Sequence, residues 1–302
     1  MKYSLNVTCT DTKTGQAAQA AGDFVVRSTG LVGASVAPGC YGVSTKLQAA
    51  QIFDSYLHRD MAMSVERLYF NPGHWQTSPN SPNPLVDMAS AGLKRWVVSF
   101  QPDPAKTQAD INNLKSSIAN IQAAGAEIEA VTFYHEVNFG KNNPWGTSQG
   151  FIDNMQFYSP AVLDMGIPMT YIPLITGNTN YLDYFPMVNG VPLVSMIHSD
   201  FYCPAYASGY DLSKIMAVAQ QHGLKFGLGE WGFVTSPTGG TQQSFINFCS
   251  YLSQTFNAWM NAGNEMASCI YFELNKADLN NVGTAADWNI APLQSFYDSV
   301  IQ

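Results

Sequence analysis

Two glutamates stand out in a chain that is sparing with charge, since only 12% of its 302 residues are charged. Glu136 lies in FYHEVNFG (133–140) and Glu230 in KFGLGEWGF (225–233), each where an apolar run comes to an end. Two carboxyl groups facing one another across a cleft can cleave a glycosidic bond. One, held protonated, gives its proton to the departing oxygen, and the other, held ionised, attacks or stabilises the anomeric carbon. The neighbouring residues suit different parts. Gly227 and Gly229 allow close approach to Glu230, and Arg67, in RLYF, can keep that carboxyl ionised through charge-assisted hydrogen bonds. His135 and Asn138 flank Glu136, where they can orient the acid and contact a sugar.

Such residues need a scaffold that brings strand ends together. Strand-like runs occupy 40–44 (CYGVS), 65–70, 95–100, 130–135, 169–175, 192–198, 225–230 and 268–274. Between them, apolar residues recur at three and four positions over 46–59, 110–125, 211–223 and 241–263, the period of an amphipathic helix. Gly125, Gly166, Gly223 and Gly263 each stand where a helix would end and a strand begin, as left-handed C-caps. Eight strand–helix repeats fit a single α/β domain, a (β/α)8 TIM barrel, which needs roughly 250 residues. A doubly wound sheet fits less well, because YGVSTK after the first run has no Gly-rich phosphate turn. The barrel is expected over 39–302, with residues 1–38 as a short N-terminal extension in which GDFVVRSTG forms a strand or hairpin at the barrel floor. In this fold the C-terminal strand ends carry the chemistry. Reading them off gives Ser44, Arg67 with Asn71, Gln101, His135 with Glu136 and Asn138, Tyr202, Glu230 with Trp231, and Glu273.

Composition excludes other roles. The net charge is −8 with 14 Lys and Arg residues and no basic cluster, so nucleic acid is not an expected partner. No apolar stretch approaches the ~20 residues that cross a bilayer, and MKYSLNVTCT lacks the apolar core of a signal peptide. Abundant neutral polar residues suit a secreted protein, and a monomer is expected. The five cysteines show no CxxC spacing, and the five histidines form no HxH or HExxH pattern. A metal site is therefore not expected, and two-carboxylate chemistry needs no cofactor.

The order of a strand-4 Glu and a strand-7 Glu resembles clan A of the glycoside hydrolases, a group of retaining (β/α)8 enzymes. His135-Glu136-Val137-Asn138 with the downstream Trp145 is similar to the HExN acid/base motif of family 26, which includes β-mannanases. SDFY resembles the clan's Tyr beside the nucleophile, here Tyr202, and RLYF its strand-2 Arg, here Arg67. Phe139 stands where that family has Gly, and His135 where most of the clan has Asn, which sets the chain at a distance from family 26. The resemblance implies a retaining hydrolase acting on a β-linked polysaccharide or oligosaccharide, with Glu136 as acid/base and Glu230 as nucleophile. Trp145, Trp231 and Trp288 are the expected platforms for a sugar's apolar face. The alternative is a barrel that binds carbohydrate without cleaving it.

Overall fold

The computed structural model describes residues 2–10, 17–25, 32–58, 60–70, 88–93, 95–177, 180–203, 211–236, 240–273, 280–281 and 289–301. Eight parallel strands are arranged in a ring: β1 (Val32–Val36), β2 (Val65–Phe70), β3 (Arg95–Phe100), β4 (Glu127–Phe133), β5 (Thr170–Tyr171), β6 (Met196–Cys203), β7 (Lys225–Ser236) and β8 (Met266–Glu273). Parallel ladders join β2 to β3 and β3 to β4, and run from β5 through β6, β7 and β8 to β1. A bridge between Val131 and Met169 links β4 to β5. Between β1 and β2 the chains meet at Gly33, where a Cβ would lie 2.2 Å from the Val65 carbonyl oxygen, so only glycine permits that approach. The fold is the (β/α)8 barrel that the alternation of elements implied.

The first barrel strand is the VGASV run at 32–36, inside the stretch read as an extension, and not CYGVS. Pro38 opens a 3-10 turn over Pro38–Cys40, and Gly42 adopts a positive φ of 64°, so 40–44 cannot extend. Ser44 is consequently no strand-end residue; it is exposed, and its N–H donates to Gln48 just before a helix. Residues 22–25 of the GDFVVRSTG segment belong to the antiparallel hairpin of Lys2–Thr10 with Ala17–Val25.

The described helices are α1 (Lys46–Leu57), α2 (Gln108–Ala123), α3 (Ser148–Leu163), α4 (Ser213–Gln221), α5 (Gln242–Asn261) and α6 (Ala291–Ile301). Threonine starts four of them. Thr45, Thr107, Thr147 and Thr241 each accept the backbone N–H three residues on, which contributes about 1 kcal/mol per helix. Gly125, Gly166, Gly223 and Gly263 all have positive φ, as expected of caps. No described helix is long and apolar enough to cross a membrane.

Outward strand residues pack on the helices, as where Phe226 stacks on Phe256 and Phe201 meets Phe248. Inward residues fill the barrel. Val65, Val97, Ile172 and Ile270 form an apolar group, and a polar group sits nearby. Its centre is His198, whose Nδ1 pairs with Thr170 Oγ1 at 2.8 Å and whose Nε2 lies 3.1 Å from Ser268 Oγ and 3.8 Å from Glu129. His198 is thus a wholly buried residue within β6.

Candidate active site

The backbone leaves β4 at Phe133 and turns sharply. Tyr134 and Glu136 both adopt left-handed conformations, with φ of 59° and 53°, which cost of order 1 kcal/mol or more each and persist only where the surroundings enforce them. Here they do. The Tyr134 N–H donates to the Phe100 carbonyl at 2.8 Å, and the Glu136 N–H donates to the Ile172 carbonyl at 2.7 Å. Asn138 secures the turn from the other side. Its amide donates to the Leu174 carbonyl at 2.8 Å and accepts the Leu174 N–H at 2.9 Å.

Glu230 reaches the barrel interior through an irregularity in β7. Leu228 pairs with Ser199 and Glu230 with Asp200, which leaves Gly229 as an extra residue, a β-bulge. Phe226 and Trp231, an odd number of residues apart, both face the helices. Strict alternation forbids that, and the bulge restores it by re-aiming the side chains that follow.

Glu136 and Glu230 line one cavity of about 260 Å³ together with Tyr69, His135, Phe139, Lys141, Asn142, Leu174, Tyr202 and Phe272. Their environments differ. Glu230 is 6% exposed. It accepts the Tyr202 hydroxyl on Oε2 at 2.6 Å and the Tyr69 hydroxyl on Oε1, and Arg67 Nη2 lies 3.7 Å from Oε1. Burial by itself favours the neutral acid, but Arg67, His135 and the two phenols outweigh it and hold Glu230 below the usual glutamate value. Burial, and then the charge of Glu230, push Glu136 up to about 7, against the weaker pull of Arg67, Lys141 and the Asn142 amide. That amide donates to Glu136 Oε2 at 3.0 Å. Both phenols remain donors, because burial and the Glu230 charge hold them well above their usual value.

Arg67 is fully buried, donates to Ser99 Oγ at 3.0 Å and lies 5.0 Å from the Tyr69 ring centre. His135 stands edge-on to the same ring at 5.1 Å, and burial lowers it to about 4, so it is neutral at pH 7. The cavity therefore brings together Glu136, Glu230, His135 and Tyr202, with Arg67 against Glu230.

Three expected sugar contacts fall elsewhere. Asn138 spends its amide on the Leu174 backbone and positions the Glu136 loop. Trp231 is completely buried against Phe248, Tyr271 and Phe296, because the residue next to an inward-facing one on a strand points outward. Trp145 is partly buried between Tyr134 and Phe151, away from the cavity lining. Trp288 and Asn71 lie outside the described residues. Tyr69 was missed, yet it sits two residues after Arg67 and so on the same strand face. Phe139, Lys141, Asn142 and Phe272 carried no readable signal, being loop or strand-end residues of ordinary type. No group of three or more His, Cys, Asp or Glu among the described residues could hold a metal ion.

No family model and no curated protein sequence matches this chain. Solved structures do resemble it. A family 30 endoxylanase from Clostridium papyrosolvens superposes with a TM-score of 0.59 at 15% identity, covering 91% of this chain and 73% of that one. A family 128 (subgroup I) endo-β-1,3-glucanase from Amycolatopsis mediterranei, in complex with laminaritriose, gives 0.51 at 12% identity over 91% of this chain and 100% of that one. The catalytic domain of a family 26 endo-β-1,4-mannanase from Bacillus sp. gives 0.50 at 16% identity, over 78% and 75%. At these identities the similarity shows a shared barrel fold.

Proposed function

We propose that the protein is a retaining glycoside hydrolase acting on a β-linked polysaccharide, with Glu136 as general acid/base and Glu230 as nucleophile. One observation carries this reading: two carboxyl groups line one cavity, and their surroundings drive their protonation in opposite directions. In the first step Glu136 gives its proton to the glycosidic oxygen while Glu230 attacks the anomeric carbon. The carbon–oxygen bond breaks, the leaving sugar departs with the proton, and the sugar remains esterified to Glu230. Burial and the Glu230 charge together kept Glu136 protonated; loss of that charge removes the repulsion, so the acid becomes a base. It then takes a proton from water, whose oxygen displaces Glu230. Tyr202, Tyr69 and Arg67 keep Glu230 ionised before attack and steady it as a leaving group afterwards.

The named activities of the structural neighbours, xylan, β-1,3-glucan and β-mannan cleavage, support a β-glycan as the substrate class. The resemblance of HEVN to the family 26 motif supports clan A membership and makes mannan the first substrate to try. Low charge and abundant neutral polar residues support a secreted enzyme, which is proposed to act as a monomer. The binding-only alternative draws less support, since a lectin-like barrel has no use for a carboxyl held protonated beside one held ionised. Incubation of the purified protein with mannan, xylan, mixed-linkage glucan and β-1,3-glucan, with products resolved by size, tests the proposal. Shorter oligosaccharides from at least one polymer support it, and binding without product on all four favours the alternative.

A further inference from the structure

A third carboxyl group lies under the pair, and the double displacement does not use it. Asp200 is wholly buried on β6, in register with Glu230 across the bulge. Among the described residues, neither of its oxygens completes a hydrogen bond. The Glu230 backbone N–H favours the anion, but less than burial and the Glu230 charge oppose it. Space for the group exists only because residue 229 is glycine, where a Cβ would come within 2.7 Å of Asp200 Oδ1. A buried carboxyl without partners costs stability in either charge state, and most in the ionised one.

The charged and titratable groups facing Asp200 are Arg67 and Tyr69 from β2, Glu136 after β4, Tyr202 from its own strand and Glu230 from β7. Arg67 is the one permanent cation in that set. Glu230 holds it at 3.7 Å and adds two phenol hydrogen bonds, whereas Asp200 has no comparable donor. Of two carboxyls competing for one buried guanidinium, the less well served keeps its proton.

We infer that Asp200 is a positioning residue of this site: an uncharged acid that buttresses the bulge at Gly229 and leaves the charge of Arg67 to the Glu230 carboxylate. Its kinetic consequence rests on the glycosidase reading; its charge state does not.

Two variants test it. Asp200→Asn keeps the shape and the neutrality, and Asp200→Ala removes the buttress. In the infrared difference spectrum of wild type against Asp200→Asn at pH 7, the band lost is that of a protonated carboxyl, and loss of a carboxylate band overturns the inference whether or not a substrate is known. On a substrate found by the polysaccharide panel, Asp200→Ala lowers kcat by about tenfold or more with little change in KM. Asp200→Asn recovers most of that loss and leaves both limbs of the pH profile in place. A limb displaced by about a full unit in Asp200→Asn marks removal of a real charge and overturns the inference, as does wild-type kcat in Asp200→Ala. Should Asp200→Ala not fold, the Asp200→Asn spectrum and pH profile decide. Should no polymer be cleaved, the glycosidase reading fails and the spectrum still decides the state of Asp200.

Discussion

Glu230 pairs with Asp200 although Leu228, two residues earlier, pairs with Ser199. The one-residue excess at Gly229 turns the Glu230 carboxyl into the barrel, toward Arg67 and the phenols of Tyr69 and Tyr202. Without the bulge, the alternation that sends Phe226 outward to Phe256 would send residue 230 outward too.

Gly229→Ala therefore strikes the site through the backbone. The added Cβ would meet Asp200 Oδ1 at 2.7 Å, the His198 carbonyl oxygen at 3.0 Å and Ile172 Cγ2 at 3.1 Å. Relief of that overlap should cost about 1–3 kcal/mol and misplace Glu230. Chemical denaturation and kcat, measured together, should both fall; an unchanged kcat would mean that the bulge does not aim the carboxyl.

Removing either carboxyl should be far more severe for turnover than for folding. Glu230→Ala and Glu136→Ala should each lower kcat by about 10³-fold or more, with circular dichroism spectra like that of the wild type. Azide, small enough to enter the vacated space, should restore part of the rate. Wild-type rates in both variants would remove these residues from the mechanism.

Acidity gives a further check. Glu136 must be protonated to act as acid, so kcat/KM should fall as pH rises through about 7. Glu230 must be ionised, and its lowered value places the acidic limb below the usual glutamate range. Stability follows the opposite logic for the raised group. The folded state keeps the Glu136 proton where the unfolded state has lost it, so stability falls as pH rises from the ordinary glutamate value of 4.5 to about 7. Glu136→Gln should abolish the basic limb and be more stable than wild type at pH 8, by about 3 kcal/mol, but not at pH 4.

The aromatics divide by position. Phe139 and Phe272 line the cavity, and alanine at either should raise KM more than it lowers kcat. Trp231→Ala should instead open a void between β7, α5 and α6 and cost about 3–5 kcal/mol, without altering KM in the protein that remains folded. A KM effect confined to Trp231→Ala would reverse this assignment.

Much of this architecture was legible in the chain. Glycines after amphipathic runs marked helix ends, and eight alternating repeats implied the barrel. Glu136 and Glu230 stood out because each closes an apolar run, and the structure brings both to one cavity. The first strand was misplaced at CYGVS, which Pro38 and Gly42 hold in a turn, although VGASV just before it is the more apolar run. Trp231 was misread because neighbours in sequence on a strand occupy opposite faces. Tyr69 was recoverable by the same rule, two residues after Arg67. Asn138 reads as a sugar ligand until the 174 backbone, distant in sequence, takes both ends of its amide. The bulge that aims Glu230 was hinted at by GLGE, but its register depends on the partner strand, which no local pattern reveals.

The central claim is that Glu230 becomes covalently bonded to the sugar. Incubating the enzyme with a 2-deoxy-2-fluoro-β-glycoside of the sugar that the polysaccharide panel identifies should slow the second displacement and let the intermediate accumulate. Peptide mapping by mass spectrometry should then place a single glycosyl group on Glu230. An adduct on another residue, or none from an enzyme that still cleaves its polymer with inversion at the anomeric carbon, would contradict the account.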